Sequence, residues 1–219
     1  MKHFDFYEFT GILLPGALLL AGVVFLWPEA SKIDGFKDLS VGGFGIFVLL
    51  AYAAGHLVQA VGNWVEWLWW KAFNGMPTDW IRSGTGDLLA PGQLQKLRAM
   101  IQDRLMLQLP ENLSELKVPA WYGITRQIYA AVAAAGRAGR IDTFNGNYGL
   151  HRGLLSAALL VACMSFASAR GSTSVAVALF VIALLAGLRM HRFAKHYGRE
   201  LFVQFLQLPP SPDSKEKKQ

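Results

Sequence analysis

Two sets of side chains in this 219-residue chain could do more than pack. The first lies in VGGFGIFVLLAYAAGHLVQAVGNW, residues 41–64. On a helix turning 100° per residue, Gly45, Leu49, Tyr52, His56, Gln59 and Asn63 share one face. Polar groups are costly in lipid, so this face needs protein or water against it. It reads as a set of hydrogen bonds to a neighbouring helix. It also reads as a pore lining, because neutral polar side chains can replace water around a permeating ion. The bulk of Tyr52 counts against the pore, and His56 leaves open a proton relay.

The second set follows Pro119. On an unbroken helix Tyr122, Arg126, Tyr129, Ala133, Arg137 and Arg140 fall in one sector. Guanidinium groups grip phosphate with two parallel bonds, aromatic faces stack on bases, and the small Ala133 leaves room between them. This sector reads as a site for an anionic, nucleotide-like ligand. Its plainer reading is an amphipathic surface that pairs with acids such as Asp142 or faces anionic headgroups.

Catalytic patterns are missing. SGTGDLLAPG, residues 83–92, has the glycines of a phosphate loop but neither its lysine nor its helix register. The histidines His3, His56, His151, His191 and His196 include no pair at the spacing of a helical zinc site, and no nucleophile elbow is present. Glu111 and Glu115 read as surface charge. The single Cys163 excludes an intrachain disulfide and a multi-cysteine metal site. The expectation is a non-enzyme without catalytic residues, metal or cofactor.

The elements that position these residues follow from composition. Hydrophobic residues make up 53% of the chain and charged residues 16%, against about 25% charged in soluble domains. The excess is concentrated in four runs near the length that crosses a bilayer, about 20 residues: 10–27, 41–64, 149–169 and 174–190. Arg152 and Arg189 then snorkel towards headgroups, and SARGSTS (168–174) is a tight turn between the last two runs. The first run reads as a retained span rather than a signal peptide, because Asp5 and Glu8 precede it and Trp-Pro-Glu-Ala is a poor cleavage site. Pro15 should kink it.

If the N-terminus is cytoplasmic, 18 of the 21 Lys and Arg residues lie inside and only Lys32, Lys37 and Arg170 outside. That asymmetry predicts an N-in, C-in orientation, and the net charge of +6 suits an anionic inner leaflet. Trp64, Trp67, Trp69 and Trp70 at one end of the second span, and Phe4, Phe6, Tyr7 and Phe9 at the start of the first, mark the cytoplasmic interface.

The fold class is therefore an all-α integral membrane protein. It has a first helix pair (1–64), a helical cytoplasmic domain (65–150), a second helix pair (151–190), and a cytoplasmic helix with a disordered polar tail (191–219). Residues 76–92 read as turns and loop. Residues 93–109 read as an amphipathic helix whose stripe of Leu94, Leu97, Ile101 and Leu105 needs burial against a neighbour, another subunit or the membrane, and which Pro110 ends. The Pro119 helix is expected to break or kink near Asn145, where Asn145–Gly146–Asn147 interrupts it. Helix continues after span four until Pro209 and Pro210. Arg189, Arg192 and Arg199, with His196, form a basic stripe that reads as snorkelling.

The segments FDFYEFTGILLPGALLL, TFNGNYGLHRGLL and RMHRFAKHYGRELF resemble the corresponding parts of small bacterial inner-membrane effector proteins of anti-phage defence systems. The resemblance covers the ends of the spans and not residues 65–119. It implies a homo-oligomeric channel or pore-forming effector in the cell inner membrane, opened or closed by a nucleotide or oligonucleotide signal that a nucleotidyltransferase partner or a CRISPR complex makes. No functional residue carries over from it. Its implied partners are the lipid bilayer, further copies of the chain and that signal. The alternative is a non-catalytic membrane anchor or assembly subunit that recruits a soluble partner.

Overall fold

The computed structural model describes residues 6–32 and 41–209. Among them the chain is helical, without strands: α1 (Phe6–Leu26), α2 (Val41–Ala72), α3 (Pro77–Ser83), α4 (Pro91–Leu105), α5 (Val118–Ala134), α6 (Gly139–Ala167) and α7 (Thr173–Leu206), with short 3-10 turns at Pro28–Lys32 and Leu113–Glu115. The segments that carry α1, α2, α6 and α7 are long and apolar enough to cross a membrane. At 1.5 Å per residue, the 32 residues of α2 extend about 48 Å, more than the hydrocarbon layer. The chain divides into two compact units, Met1–Trp69 with Gly146–Phe193, and Trp70–Asn145 with Ala194–Gln219. Phe4, the side chains of Phe6 and Tyr7, Lys37, and the tail from Pro210 lie outside the described residues.

The first unit packs on small residues. Ala51, Ala54, Gly55, Val58 and Gly62 form the buried face of α2. A Cβ on Gly16 would strike the Ala51 carbonyl, and one on Gly55 the Ile12 carbonyl, so α1 and α2 approach backbone to backbone. The opposite face of α2 is open: Leu49, Leu57 (69% exposed), Trp64 (78%) and Trp67. Trp69 turns inward, with its indole N–H donating to His191 Nδ1 at 3.4 Å. The connection between α6 and α7 is the tight turn expected, and the buried Ser168 hydroxyl donates to the Leu26 carbonyl at the end of α1 at 2.7 Å.

The second unit has a hydrophobic core in which Leu97 and Ile101 of α4, Trp121, Ile124, Ile128 and Val132 of α5, and Leu201, Phe202 and Phe205 of α7 are buried together. The Trp121 ring stacks on Phe202 at 6.2 Å and its N–H donates to the Thr78 carbonyl at 2.9 Å. The stripe of α4 is thus covered by the chain's own helices.

Four local expectations are corrected. Residues 76–92 are not all loop: Pro77 opens the seven-residue α3, which ends at Gly84 with φ of 69°. Helix α4 stops at Leu105 rather than at Pro110, because Met106 takes a left-handed conformation (φ 52°). The break after Pro119 falls at Gly136, not near Asn145. Gly136 has φ of 72°, its N–H bonds the Ala133 carbonyl at 2.9 Å, and the Arg137 N–H bonds the Val132 carbonyl at 3.1 Å. This pairing closes a helix on a left-handed glycine. Helix α6 then runs unbroken through Asn145–Gly146–Asn147, with Ile141 and Tyr148 buried on either side. Fourth, Arg199 does not snorkel. It donates to the Leu88 carbonyl at 3.3 Å, while His196 stacks on Phe144 at 5.3 Å.

Candidate functional site

The polar face of α2 separates into two parts. Gly45, Tyr52, His56 and Asn63 are exposed, with Gly45 meeting nothing within 4 Å. The Tyr52 and His56 rings meet edge to face at 4.8 Å, and Phe9 stacks on Tyr52 at 6.0 Å. Gln59, at the edge of this stripe, turns inward instead. Its Nε2 donates to the Gly11 carbonyl at 2.8 Å and to the Gly149 carbonyl at 3.3 Å. Its Oε1 accepts from Arg152 through Nε at 3.2 Å and Nη2 at 2.9 Å. The remaining guanidinium nitrogen, Nη1, pairs with Glu66.

Arg152 therefore does not reach for headgroups. Its side chain is 22% exposed and that of Glu66 21%. An arginine withdrawn from water between helices is stable only when its donors are satisfied, and Gln59 with Glu66 does this. Glu66 was not among the residues singled out in the sequence. Its signal was an acid two residues beyond Trp64 in a segment otherwise built for a membrane interface.

The arginine and tyrosine set lies wholly in the second unit but on three elements. Tyr122, Arg126 and Tyr129 are on α5, Arg137 is in the turn after it, and Arg140 begins α6. The break at Gly136 therefore dissolves the single helical sector. Arg137 donates to the Gln207 carbonyl at 3.0 Å. Arg140 pairs with Glu200 at 3.5 Å and lies over the Phe144 ring at 5.8 Å.

Arg126 remains beside the tyrosines, its guanidinium 5.9 Å from the Tyr129 ring centre. The Tyr129 hydroxyl donates to Asp142 Oδ1 at 2.7 Å. That bond, with partial burial and the carboxylate's charge, pushes the phenol up to about 12. Tyr197 of α7 lies within electrostatic reach of Arg126, Tyr122 and Asp142. Sequence periodicity could not find Tyr197, because α7 comes to α5 only through the tertiary fold.

The resulting cluster is one guanidinium, one carboxylate and three phenols. It offers an anion a single strong partner, a planar group aromatic faces, and a hydrogen-bond donor the Asp142 carboxylate. Among the described residues, no group of three or more His, Cys, Asp or Glu side chains could hold a metal ion. No family model matches the sequence, and no curated protein or solved structure matches the chain.

Proposed function

We propose that this chain is a homo-oligomeric channel or pore-forming effector of the bacterial inner membrane, lying N-in and C-in, gated by an anionic, nucleotide-like ligand on the cytoplasmic side, and acting in anti-phage defence. The observation that carries the reading is the exposed stripe of Tyr52, His56 and Asn63 on a helix apolar enough to cross a membrane. Hydroxyl, imidazole and amide groups facing hydrocarbon are expensive. A ring of subunits, each presenting this stripe to a shared axis, gives them water and one another. Among the described residues a single copy has four apolar helices, too few to enclose a wide aqueous channel.

In this reading the gating ligand sits at Arg126, Tyr122, Tyr129, Asp142 and Tyr197. Arg137 and Arg140 are occupied by the Gln207 carbonyl and Glu200, which leaves Arg126 as the phosphate partner. The covered stripe of α4 gives no support to oligomerisation, so the α2 stripe carries that part alone.

The test is induced expression of the full chain in bacteria with a membrane-potential dye. The channel reading expects depolarisation, reduced in a His56→Leu/Asn63→Leu variant that still reaches the membrane. Unchanged potential at full expression, with or without the defence signal, favours the anchor or assembly-subunit reading.

A further inference from the structure

The open side of α7 changes its chemistry within one turn. Val177, Val181, Leu184, Leu185 and Leu188 are exposed, and so are Arg189 and Arg192 directly after them. At 100° per residue Leu185, Leu188, Arg189 and Arg192 share a sector about 100° wide. Trp69 marks the level of the change. An added Cβ on Gly187 would come within 2.7 Å of its ring, and its N–H donates to His191 Nδ1 at 3.4 Å. Tryptophan rings collect at headgroup depth, and Gly187 and His191 flank Arg189 in the sequence.

Arg189 is held, not loose. Its guanidinium lies over the Phe193 ring, 5.1 Å from the centre. His151 of α6 packs on the same ring at 5.1 Å, and its Nδ1 lies 2.7 Å from the Asn147 carbonyl oxygen. Stacking covers the face of a guanidinium and leaves the N–H donors along its edge. Among the described residues no carboxylate pairs with Arg189 or Arg192, and Glu66 is taken by Arg152.

A phosphodiester matches this arrangement, because a planar fork of donors bonds two of its oxygens together. Arg192, one turn on, adds a second positive charge, which favours a headgroup of net negative charge over a zwitterion. Free phosphate would use the arginines and leave the leucines bare. A phospholipid uses both.

We propose that the end of the apolar stretch of α7 binds an anionic phospholipid, with its phosphate on Arg189 and Arg192 and its acyl chains along Leu185 and Leu188. The site requires the apolar helices to lie in a membrane. It requires neither a pore, nor a nucleotide-like ligand, nor a particular sidedness.

The test is native mass spectrometry of the full chain released from detergent, titrated with phosphatidylglycerol or with phosphatidylcholine of the same acyl chains. The unaltered chain should bind phosphatidylglycerol more tightly. Arg189→Gln/Arg192→Gln should weaken that binding by about fivefold for each arginine and leave phosphatidylcholine unchanged. Arg189→Lys/Arg192→Lys keeps the charge but not the fork, so it should retain only part of the preference. Arg170→Gln, at an exposed arginine in the turn between α6 and α7, should retain all of it. Equal binding of the two lipids, undiminished preference in either double variant, or an equal loss in Arg170→Gln overturns the proposal. So does full competition by glycerol phosphate at the lipid's own concentration, which would make this a site for free phosphate. If the glutamine variant does not accumulate, the lysine variant decides by the same criterion.

Discussion

The Tyr129 hydroxyl donates to the Asp142 carboxylate at 2.7 Å, joining α5 to the first turn of α6 across the left-handed Gly136. The bond keeps the phenol protonated beyond its ordinary range, to about 12. A group whose pKa is raised by folding contributes stability in full below its unfolded value and loses it as pH climbs through the folded one. The contribution of Tyr129 is thus intact up to about pH 10, the ordinary value of a tyrosine phenol, and falls away between there and 12. Burial also raises the Tyr197 phenol, so ultraviolet titration of tyrosinate should show late-titrating phenols, of which Tyr129→Phe removes one and Asp142→Asn shifts that one back towards 10.

Gly136 holds that turn with φ of 72°. Any residue with a Cβ is strained there by about 1–2 kcal/mol. Gly136→Ala should lower unfolding stability by that amount in detergent, whereas Gly123→Ala, where nothing lies within 4 Å of the new methyl, should not.

Glu66 and Arg152 form a pair largely withdrawn from solvent. Glu66→Gln keeps the shape but leaves the guanidinium with neutral acceptors only. Loss of a hydrogen bond to a charged group costs about 1.5–3 kcal/mol. Equilibrium unfolding of the two single variants and the double variant Glu66→Gln/Arg152→Gln should show strong coupling, with the double variant less damaging than the sum.

Close helix approach separates the glycines of the first unit. Gly16→Ala and Gly55→Ala would drive a methyl into the backbone of the facing helix, and overpacking of this kind costs about 1–3 kcal/mol. Gly45 faces open space, so Gly45→Ala should be neutral or stabilising by up to about 1 kcal/mol through helix propensity. Thermal unfolding of the three variants in one detergent checks the order.

The arginines of the second unit should divide by role. Arg126→Ala removes a side chain whose contact is the Tyr129 ring and should leave the unfolding midpoint nearly unchanged while blunting the response to the cellular signal. Arg140→Ala removes the pair with Glu200, exposed at the arginine end, and should cost about 0.2–1 kcal/mol, with the signal response retained. Equal loss of response in both variants would return Arg140 to the ligand site.

Helix identity was largely legible because an apolar run long enough to cross a membrane admits few alternatives: backbone groups in lipid bond within their own helix or not at all. The runs at 41–64 and 174–190 accordingly fall within α2 and α7, and those at 10–27 and 149–169 overrun the ends of α1 and α6 by one and two residues. Helix ends were less legible. Asn145–Gly146–Asn147 has the composition of a break, yet Ile141 and Tyr148 are buried around it, and packing outweighs the modest cost of one glycine and two asparagines. Gly136, one glycine among several, became the break because both neighbouring carbonyl bonds could close on it.

Sequence by itself determined what each helix had to satisfy. Pro15 left the Gly11 carbonyl without its backbone donor, Gln59 and Arg152 carried donors that hydrocarbon could not satisfy, and four alanines and glycines in α2 allowed a backbone to come close. Only the tertiary structure decided that these needs answer one another. A helical wheel places residues around one axis and says nothing of which other axis lies beside it. Gln59 and Arg152 are 93 positions apart and Glu66 and Arg152 are 86 apart, so their meeting depends on how three separate helices pack. The same holds for Tyr197, which joins Arg126 and Asp142 only because the end of α7 returns to the core of α5.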